Sequence, residues 1–210
     1  MRRRYLDEGV DDNTLLLLHF NNSLKDEVSG TSYSGYNYTY SASGKFNNCI
    51  SFSRNGQITI NNTNAINESL YPDYTIDFWL YLKSGSSGIM SKGVNGGGYS
   101  FDLTVEDDGR IFFGIQYNSN RGNAAVHFTI PRDQWVHLAI VRQNSRYWKV
   151  YVNGIYVNGF TSTIVSGYYS SLIIGKYRDY GRYLNGYIDE FRISDIARWT
   201  SNFQVPEIPY

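Results

Sequence analysis

The chain has 210 residues, with 19 Lys and Arg against 19 Asp and Glu, enough for one sizeable domain around a single core. Balanced charge argues against a nucleic-acid surface or a polybasic membrane-binding surface, where basic residues cluster. One cysteine, Cys49, excludes an intrachain disulfide, and LLLL at 15–18 is the length of a strand rather than of a membrane helix.

Residues 1–12 read as an arm or linker. Arg2–Arg4 is the only basic run and reads as a solvated tail. It leads into DEGVDD rather than an apolar segment, so no signal peptide is expected. A single domain is expected over 13–210. Helical periodicity is almost absent, and alternation with period two recurs between turn signals. The expected strands are Leu15–Phe20, Cys49–Ser53, Gln57–Ile60, Thr75–Leu82, Tyr99–Val105 and Arg110–Tyr117. Ala125–Ile130, Trp135–Arg142, Trp148–Val152, Ile155–Phe160, Leu172–Ile174 and Gly186–Ile193 follow. Asp108-Gly109 and Asn153-Gly154 supply the positive φ that two-residue hairpins need. Many short strands at this spacing mean an all-β sandwich or barrel.

Period two also assigns faces. Ile76, Phe78, Leu80 and Leu82 form one apolar set, with Asp77, Trp79 and Tyr81 opposite. Val136, Leu138 and Ile140 form another, opposed by Trp135, His137 and Ala139; Val150 and Val152 oppose Lys149 and Tyr151. Three strands thus offer aromatic or polar side chains on a non-core face that could form a shallow groove. Within YIDEFRISD, Phe191 and Ile193 share the parity of Asp189, which points that carboxylate inward, and Glu190 is expected to pair across the sheet with Arg192 or Arg142. Ser194 can cap one helical turn over DIARW, and TSNFQVPEIPY, with Pro206 and Pro209, reads as an extended strap.

The ordered set LLLLHFNNSLKDEVSG, GKFNNCISFSRNGQITI, YTIDFWLYL, QWVHLAIVR, KVYVNG, LIIGK and LNGYIDEFRISDIARWTSNF resembles the laminin G-like, concanavalin A-like jelly-roll family over roughly residues 13–210. The resemblance implies a two-sheet antiparallel β-sandwich with adjacent chain ends. GYIDEFRISDIARWTSNF is most similar to modules of bacteriophage tail, fibre and other virion proteins and of bacterial surface proteins. Related jelly rolls hold one structural Ca²⁺, and the matching positions are Asn21, Asn22, Asp26 and Asp189; Asn21-Asn22 stands where many relatives have Asp-Gly. The alternative for Asp189 is a hydrogen-bonded carboxylate with no metal.

Jelly-roll glucanases carry alternating carboxylates on one strand, because acid and nucleophile must face one sugar at about 5–5.5 Å. Asp189 and Glu190 are neighbours, Glu190 is followed at i+2 by Arg192, and Glu106-Asp107-Asp108 sits at a hairpin tip, so no enzyme is expected. The expected job is surface recognition. The candidate residues are Trp79, Tyr81, His137 and Tyr151 on the non-core face and Tyr177, Arg178, Asp179, Tyr180, Arg182 and Tyr183 in the loop YRDYGRYLNG. The expected partner is a host cell-surface glycan or protein, with neither nucleic acid nor membrane insertion. The alternative is a virion decoration protein that contacts its own capsid or tail.

Overall fold

A computed structural model describes residues 10–61, 63–83, 85, 87–93, 99–117, 124–163, 170–177 and 181–210. The strands are β1 (Thr14–Leu18), β2 (Ser34–Ser41), β3 (Cys49–Ile60), β4 (Tyr74–Leu82), β5 (Ser87–Lys92), β6 (Tyr99–Val105), β7 (Ile111–Tyr117) and β8 (Ala125–Phe128). They continue as β9 (Trp135–Gln143), β10 (Tyr147–Val152), β11 (Ile155–Thr161), β12 (Leu172–Ile174), β13 (Lys176–Tyr177), β14 (Arg182–Tyr183) and β15 (Asn185–Ser194). Two single 3-10 turns, Asn64–Ile66 and Glu68–Leu70, are the only helical pieces among the described residues.

Thirteen strands form one antiparallel ladder in the order β11-β10-β9-β4-β15-β3-β12-β5-β6-β7-β8, with β1 on β15 and β2 on β3. The ladder folds over at β3. Its first half pairs with β15 through Ser51↔Tyr187, and its second half pairs with β12 through Thr59↔Ile173. Strands that switch sheets at a bend are how two layers close into a sandwich. The apolar sets of both layers meet in one core: Phe78, Leu80, Leu138, Ile140 and Val150 from one, Met90, Leu103, Val105, Ile111 and Phe113 from the other. Phe78 packs on Phe191, and Trp148 lies between Phe101 and Phe113.

The alternating segments are strands as expected, with Cys49–Ser53 and Gln57–Ile60 joined into one. The hairpin turns Asp108-Gly109 and Asn153-Gly154 have positive φ at Gly109, Asn153 and Gly154. Four strands carry too weak a pattern to be foreseen. β2 (SGYNYTYS) is largely polar and exposed, β5 (SGIMSK) does not alternate, and β13 and β14 have two residues each. Gly88 explains the last pair: a Cβ there would stand 1.9 Å from the Tyr177 amide nitrogen, so the β13 backbone rests directly on β5. The helical turn over DIARW is absent. The Ser194 hydroxyl accepts from Arg198 Nε at 2.6 Å instead of capping backbone, and Thr75 Oγ1 takes both the Ile196 carbonyl and the Arg198 amide.

β15 departs from simple alternation at Glu190. Its φ of 50° places it in the left-handed region, and the pairing with β4 shifts register between Asp189 and Arg192. One residue is therefore extra, and parity inverts across it. Phe191 and Ile193 enter the core, whereas Asp189 and Arg192 stand on the outer face beside Trp79 and Asp77. The expectation that Asp189 shares the inward side of Phe191 is corrected by this bulge.

The chain ends lie together. β1 pairs with β15, Asn13 Nδ2 donates to Asp195, and Asp11 accepts from both terminal nitrogens of Arg198 at 2.9 and 2.8 Å. Residues 10–12 thus touch the C-terminal segment; the basic run Arg2–Arg4 lies outside the described residues.

Candidate functional site

The outer face of the β9-β4-β15-β3 layer is divided in two by the C-terminal segment. After Ser194 the chain crosses this face without regular structure. Phe203 N–H donates to the Gly154 carbonyl, Asn202 Oδ1 accepts from Tyr156 N–H, and Lys149 Nζ reaches the Thr200 carbonyl. Trp199 and Phe203 stack at 3.9 Å and stand edge-on over His137. Ala139, Val141, Tyr151 and Trp199 make a second, smaller apolar cluster under this strap. The strap was legible as an extended segment; what it covers was not.

The strap is fastened by Tyr210. Its hydroxyl donates to Asp77 Oδ2 and lies 2.9 Å from His137 Nε2, and its backbone N–H donates to Glu190 Oε2 at 3.0 Å. Arg192 Nε and Nη2 reach the two Asp77 oxygens at 3.2 and 3.1 Å, with the guanidinium 3.6 Å from the Tyr210 ring centre. Burial pushes the Asp77 carboxyl up, but the Arg192 charge and the His137 bond outweigh it and hold the group well below the usual carboxylate range. A His137 tautomer with its proton on Nε2 donates to the Tyr210 oxygen and frees that hydroxyl to donate to Asp77. Glu190 also accepts from His19 Nδ1 at 2.8 Å, and this bond raises the imidazole above its ordinary titration. The expected partners of Glu190, Arg192 and Arg142, are engaged elsewhere: Arg192 with Asp77, and Arg142 with the Glu68, Tyr71 and Ser145 carbonyls.

Three of the four residues proposed for an open groove are therefore covered. Trp79, His137 and Tyr151 are 3 %, 0 % and 1 % exposed and offer no surface to a ligand in this arrangement. Trp79 is closed by the Phe46 ring at 6.0 Å and by Lys45 Nζ at 4.3 Å from its own ring. Tyr81 differs. One row further along the strands it pairs with Tyr187 on one side and Trp135 on the other, and all three are half-buried. The ring centres lie 5.4 Å (Tyr81–Tyr187), 5.7 Å (Tyr81–Trp135) and 6.3 Å (Trp135–Tyr187) apart. Tyr81 is edge-on to both neighbours, which are tilted 38° from each other. Lys83 Nζ donates to the Tyr187 hydroxyl at 2.8 Å and sits 4.3 Å from that ring. Among the described residues no ring contact or hydrogen bond joins the strap to this row. Trp135 was legible as an outer-face residue, but Tyr187 as its companion depends on register across β15 and β4, which no single-strand pattern carries.

The loop candidates fall elsewhere. Tyr177 is buried, and Arg182 and Tyr183 are half-buried in the β13-β14 hairpin, with Lys176 Nζ 5.3 Å from the Tyr183 ring. Arg182 pairs loosely with Asp107 at 3.7 Å. This hairpin packs on β5 and β3, apart from the Tyr81 row. Arg178, Asp179 and Tyr180 lie outside the described residues.

Of the residues expected to hold Ca²⁺, Asp26 and Asn21 are engaged by protein donors, and Asp189 keeps one oxygen, Oδ1, without a partner. Asp26 Oδ1 accepts from the Leu17 and Val28 amides, and Oδ2 from the Ser29 amide and hydroxyl. A carboxylate has about four acceptor positions, so Asp26 is filled by donors that exclude a cation. Asn21 Oδ1 accepts from Asn48 N–H, and Asp189 Oδ2 from Phe46 N–H. Among the described residues no three His, Cys, Asp or Glu side chains group as metal ligands. A chelator is accordingly expected to move the thermal midpoint by less than about 2 °C, corresponding to under roughly 1 kcal/mol. Differential scanning calorimetry with and without EDTA checks this, and a larger drop restored by Ca²⁺ would contradict it.

Domain 4 of AbnA, a GH43 extracellular arabinanase from Geobacillus stearothermophilus solved with arabinotriose, superposes with a TM-score of 0.69 at 19 % identity, over 88 % of this chain and 93 % of that one. The binding domain of Paraclostridial Mosquitocidal Protein 1 superposes with a TM-score of 0.68 at 17 % identity, over 89 % of this chain and 49 % of that one. The botulinum neurotoxin serotype D binding domain gives 0.64 at 19 % identity, again over 89 % and 49 %. The chain thus spans about half of these toxin binding domains. No curated protein sequence matches it. The family match covers residues 52–201, and with the folded-over antiparallel ladder it establishes that this chain belongs to the concanavalin A-like lectin/glucanase superfamily, in its laminin G branch.

Proposed function

We propose that the domain is a non-catalytic recognition module that binds a saccharide across Tyr81, Trp135 and Tyr187. The observation that carries this reading is the half-buried aromatic row left open beside the strap. Aromatic rings offer rigid apolar area to the C–H faces of a sugar at small entropic cost, and their polar edges and the neighbouring Lys83 supply hydrogen bonds to hydroxyls. Solved neighbours of the fold include the arabinanase domain with arabinotriose and a botulinum neurotoxin DC binding domain with SialylT. The similarity of GYIDEFRISDIARWTSNF to virion and bacterial-surface modules suggests the bearer: the module attaches a phage head or tail fibre, or a bacterial surface, to a host cell glycan.

The paired-carboxylate requirement of glycosidases argues against hydrolysis at this row, because its outer-face acids are committed. Asp77 is ion-paired to Arg192, and Asp189 is enclosed beside Trp79. Trp135→Ala is expected to weaken saccharide binding at least tenfold, about 1.4 kcal/mol, with an unchanged far-UV circular dichroism spectrum. A broad glycan array followed by titration calorimetry on the best hit reads the effect. No hit for the wild type, or equal affinity for Trp135→Ala, would remove this assignment.

A second reading has its own observation. Ile155, Tyr156 and Val157, at the start of the terminal strand β11, are 53 %, 49 % and 39 % exposed. Exposed apolar edge strands are natural docking seams for protein. They favour, as the alternative, a decoration protein seated on its own capsid or tail, and retention of Ile155→Lys on particles would count against it.

A further inference from the structure

We propose that the saccharide bound at the Tyr81–Trp135–Tyr187 row is anionic, a glycan carrying uronate-type carboxylates. This rests on the recognition reading above and narrows its ligand class. The chain as a whole is charge-balanced, with 19 basic and 19 acidic residues, yet the cations around this row lack counter-charges. Lys83 Nζ contacts only the hydroxyl and ring of Tyr187. Lys45 Nζ contacts only the rings of Trp79 and Phe46, at 4.3 and 5.7 Å. Arg132, at the Lys83 end, spends Nη1 on the Lys83 carbonyl and Nη2 on the Gly109 carbonyl, neither of which neutralises it. Among the described residues none of the three forms an ion pair.

Asp107 and Asp108 precede the Gly109 carbonyl that Arg132 holds, and two further carboxylates lie close in the fold. Asp133 follows Arg132 and bonds the Leu82 carbonyl through its backbone, and Asp189 lies enclosed in the next row beside Trp79. Neither reaches an ion-pair distance from Lys45 or Lys83. Lys83, the residue just after β4, and Trp79, which Lys45 covers, are four residues apart, about 13 Å at strand spacing. One ammonium, Lys83 Nζ, lies over the Tyr187 ring in the row itself, and the other, Lys45 Nζ, over Trp79 in the adjoining row. A ligand stacked on the rings would present carboxylates to both, and an ammonium can still donate two or three N–H bonds to them.

The test uses the whole chain and two probes of equal length, tetragalacturonate and its methyl-ester derivative, titrated by calorimetry at pH 7 in low and in 0.5 M salt. The expected result is at least tenfold tighter binding of the free acid, a loss of that preference in high salt, and its loss in Lys45→Gln/Lys83→Gln, while the variant keeps its thermal midpoint. Ester and acid bound equally, with Trp135→Ala weakening both, would overturn the anionic preference and leave the aromatic site standing. Binding of the acid untouched by Trp135→Ala would overturn both. If neither probe binds, a carboxylated and neutral glycan array decides: hits confined to neutral glycans overturn the proposal, and hits among carboxylated glycans abolished by the double lysine variant sustain it.

Discussion

Asp77→Ala is expected to cost about 3–5 kcal/mol of stability, the range for breaking one side of a buried ion pair. On a domain of this size that is a drop in thermal midpoint of roughly 10 °C. Asp77 and Arg192 are both 0 % exposed, so the substitution removes the buried counter-charge of a guanidinium that cannot reach bulk water. It also removes the acceptor of the Tyr210 hydroxyl, so the strap loses its fastening at the same moment. The two effects share partners and should not add as independent terms. Urea unfolding followed by tryptophan fluorescence measures the loss. A cost below about 1 kcal/mol would mean that the pair contributes little beyond what water could replace. Tyr210→Phe isolates the hydroxyl: it keeps the ring beneath Arg192 and should cost a smaller share, on the order of 1–2 kcal/mol.

This buried cluster shows where sequence reasoning stops. Period two placed Asp77, Trp79 and Tyr81 on one face and Ile76, Phe78, Leu80 and Leu82 on the other, and β4 obeys it. Periodicity reports which side a residue faces, but not what covers that side. The covering segment, TSNFQVPEIPY, begins near residue 200 and reaches back to His137 and Asp77, at separations of 73 and 133 residues from Tyr210. Nothing local in His137 or Tyr151 signals that a strap will close over it, and nothing in Trp79 signals that Lys45 and Phe46 will. The bulge at Glu190 is the other hidden feature. A glutamate with positive φ is set by tertiary context, here its bonds to His19 and the Tyr210 amide, and no residue preference announces it. One extra residue there moved Asp189 from the core side to the outer face. The motif order read the fold correctly because it depends on strand spacing, which a bulge barely changes. The site depended on register, which a bulge changes completely. Tyr187 became a site residue only once its pairing with Tyr81 was fixed.

Asp189→Asn is expected to stabilise the protein at pH 8 and to leave it unchanged near pH 4. Burial pushes the Asp189 carboxyl from an ordinary 3.8 up to about 7, with the Glu190 charge adding to the rise and the Phe46 amide bond opposing it. Oδ1 has no hydrogen-bond partner, so the ionised form is poorly served in its enclosure. Below pH 3.8 the group holds its proton folded or unfolded, and no penalty exists. Between 3.8 and 7 the unfolded chain ionises while the folded one resists, so stability falls as pH rises. Above 7 the penalty is complete. At about 1.4 kcal/mol per pH unit over the rise from 3.8 to about 7 it amounts to something on the order of 4 kcal/mol. Asparagine carries the shape of the protonated acid without its titration, and its carbonyl can still accept the Phe46 amide. The urea midpoint of the variant should therefore exceed that of the wild type at pH 8 and converge with it at pH 4. An equal gain at both values would trace the effect to packing instead, and a loss at pH 8 would show that the ionised carboxylate is stabilised after all, for instance by Lys45. The same titration bears on recognition. An Asp189 that stays neutral up to about pH 7 leaves the positive charge of Lys45 uncompensated beside the aromatic row, so an anionic ligand should bind the wild type more weakly at pH 8 than at pH 6. In Asp189→Asn that decline should disappear.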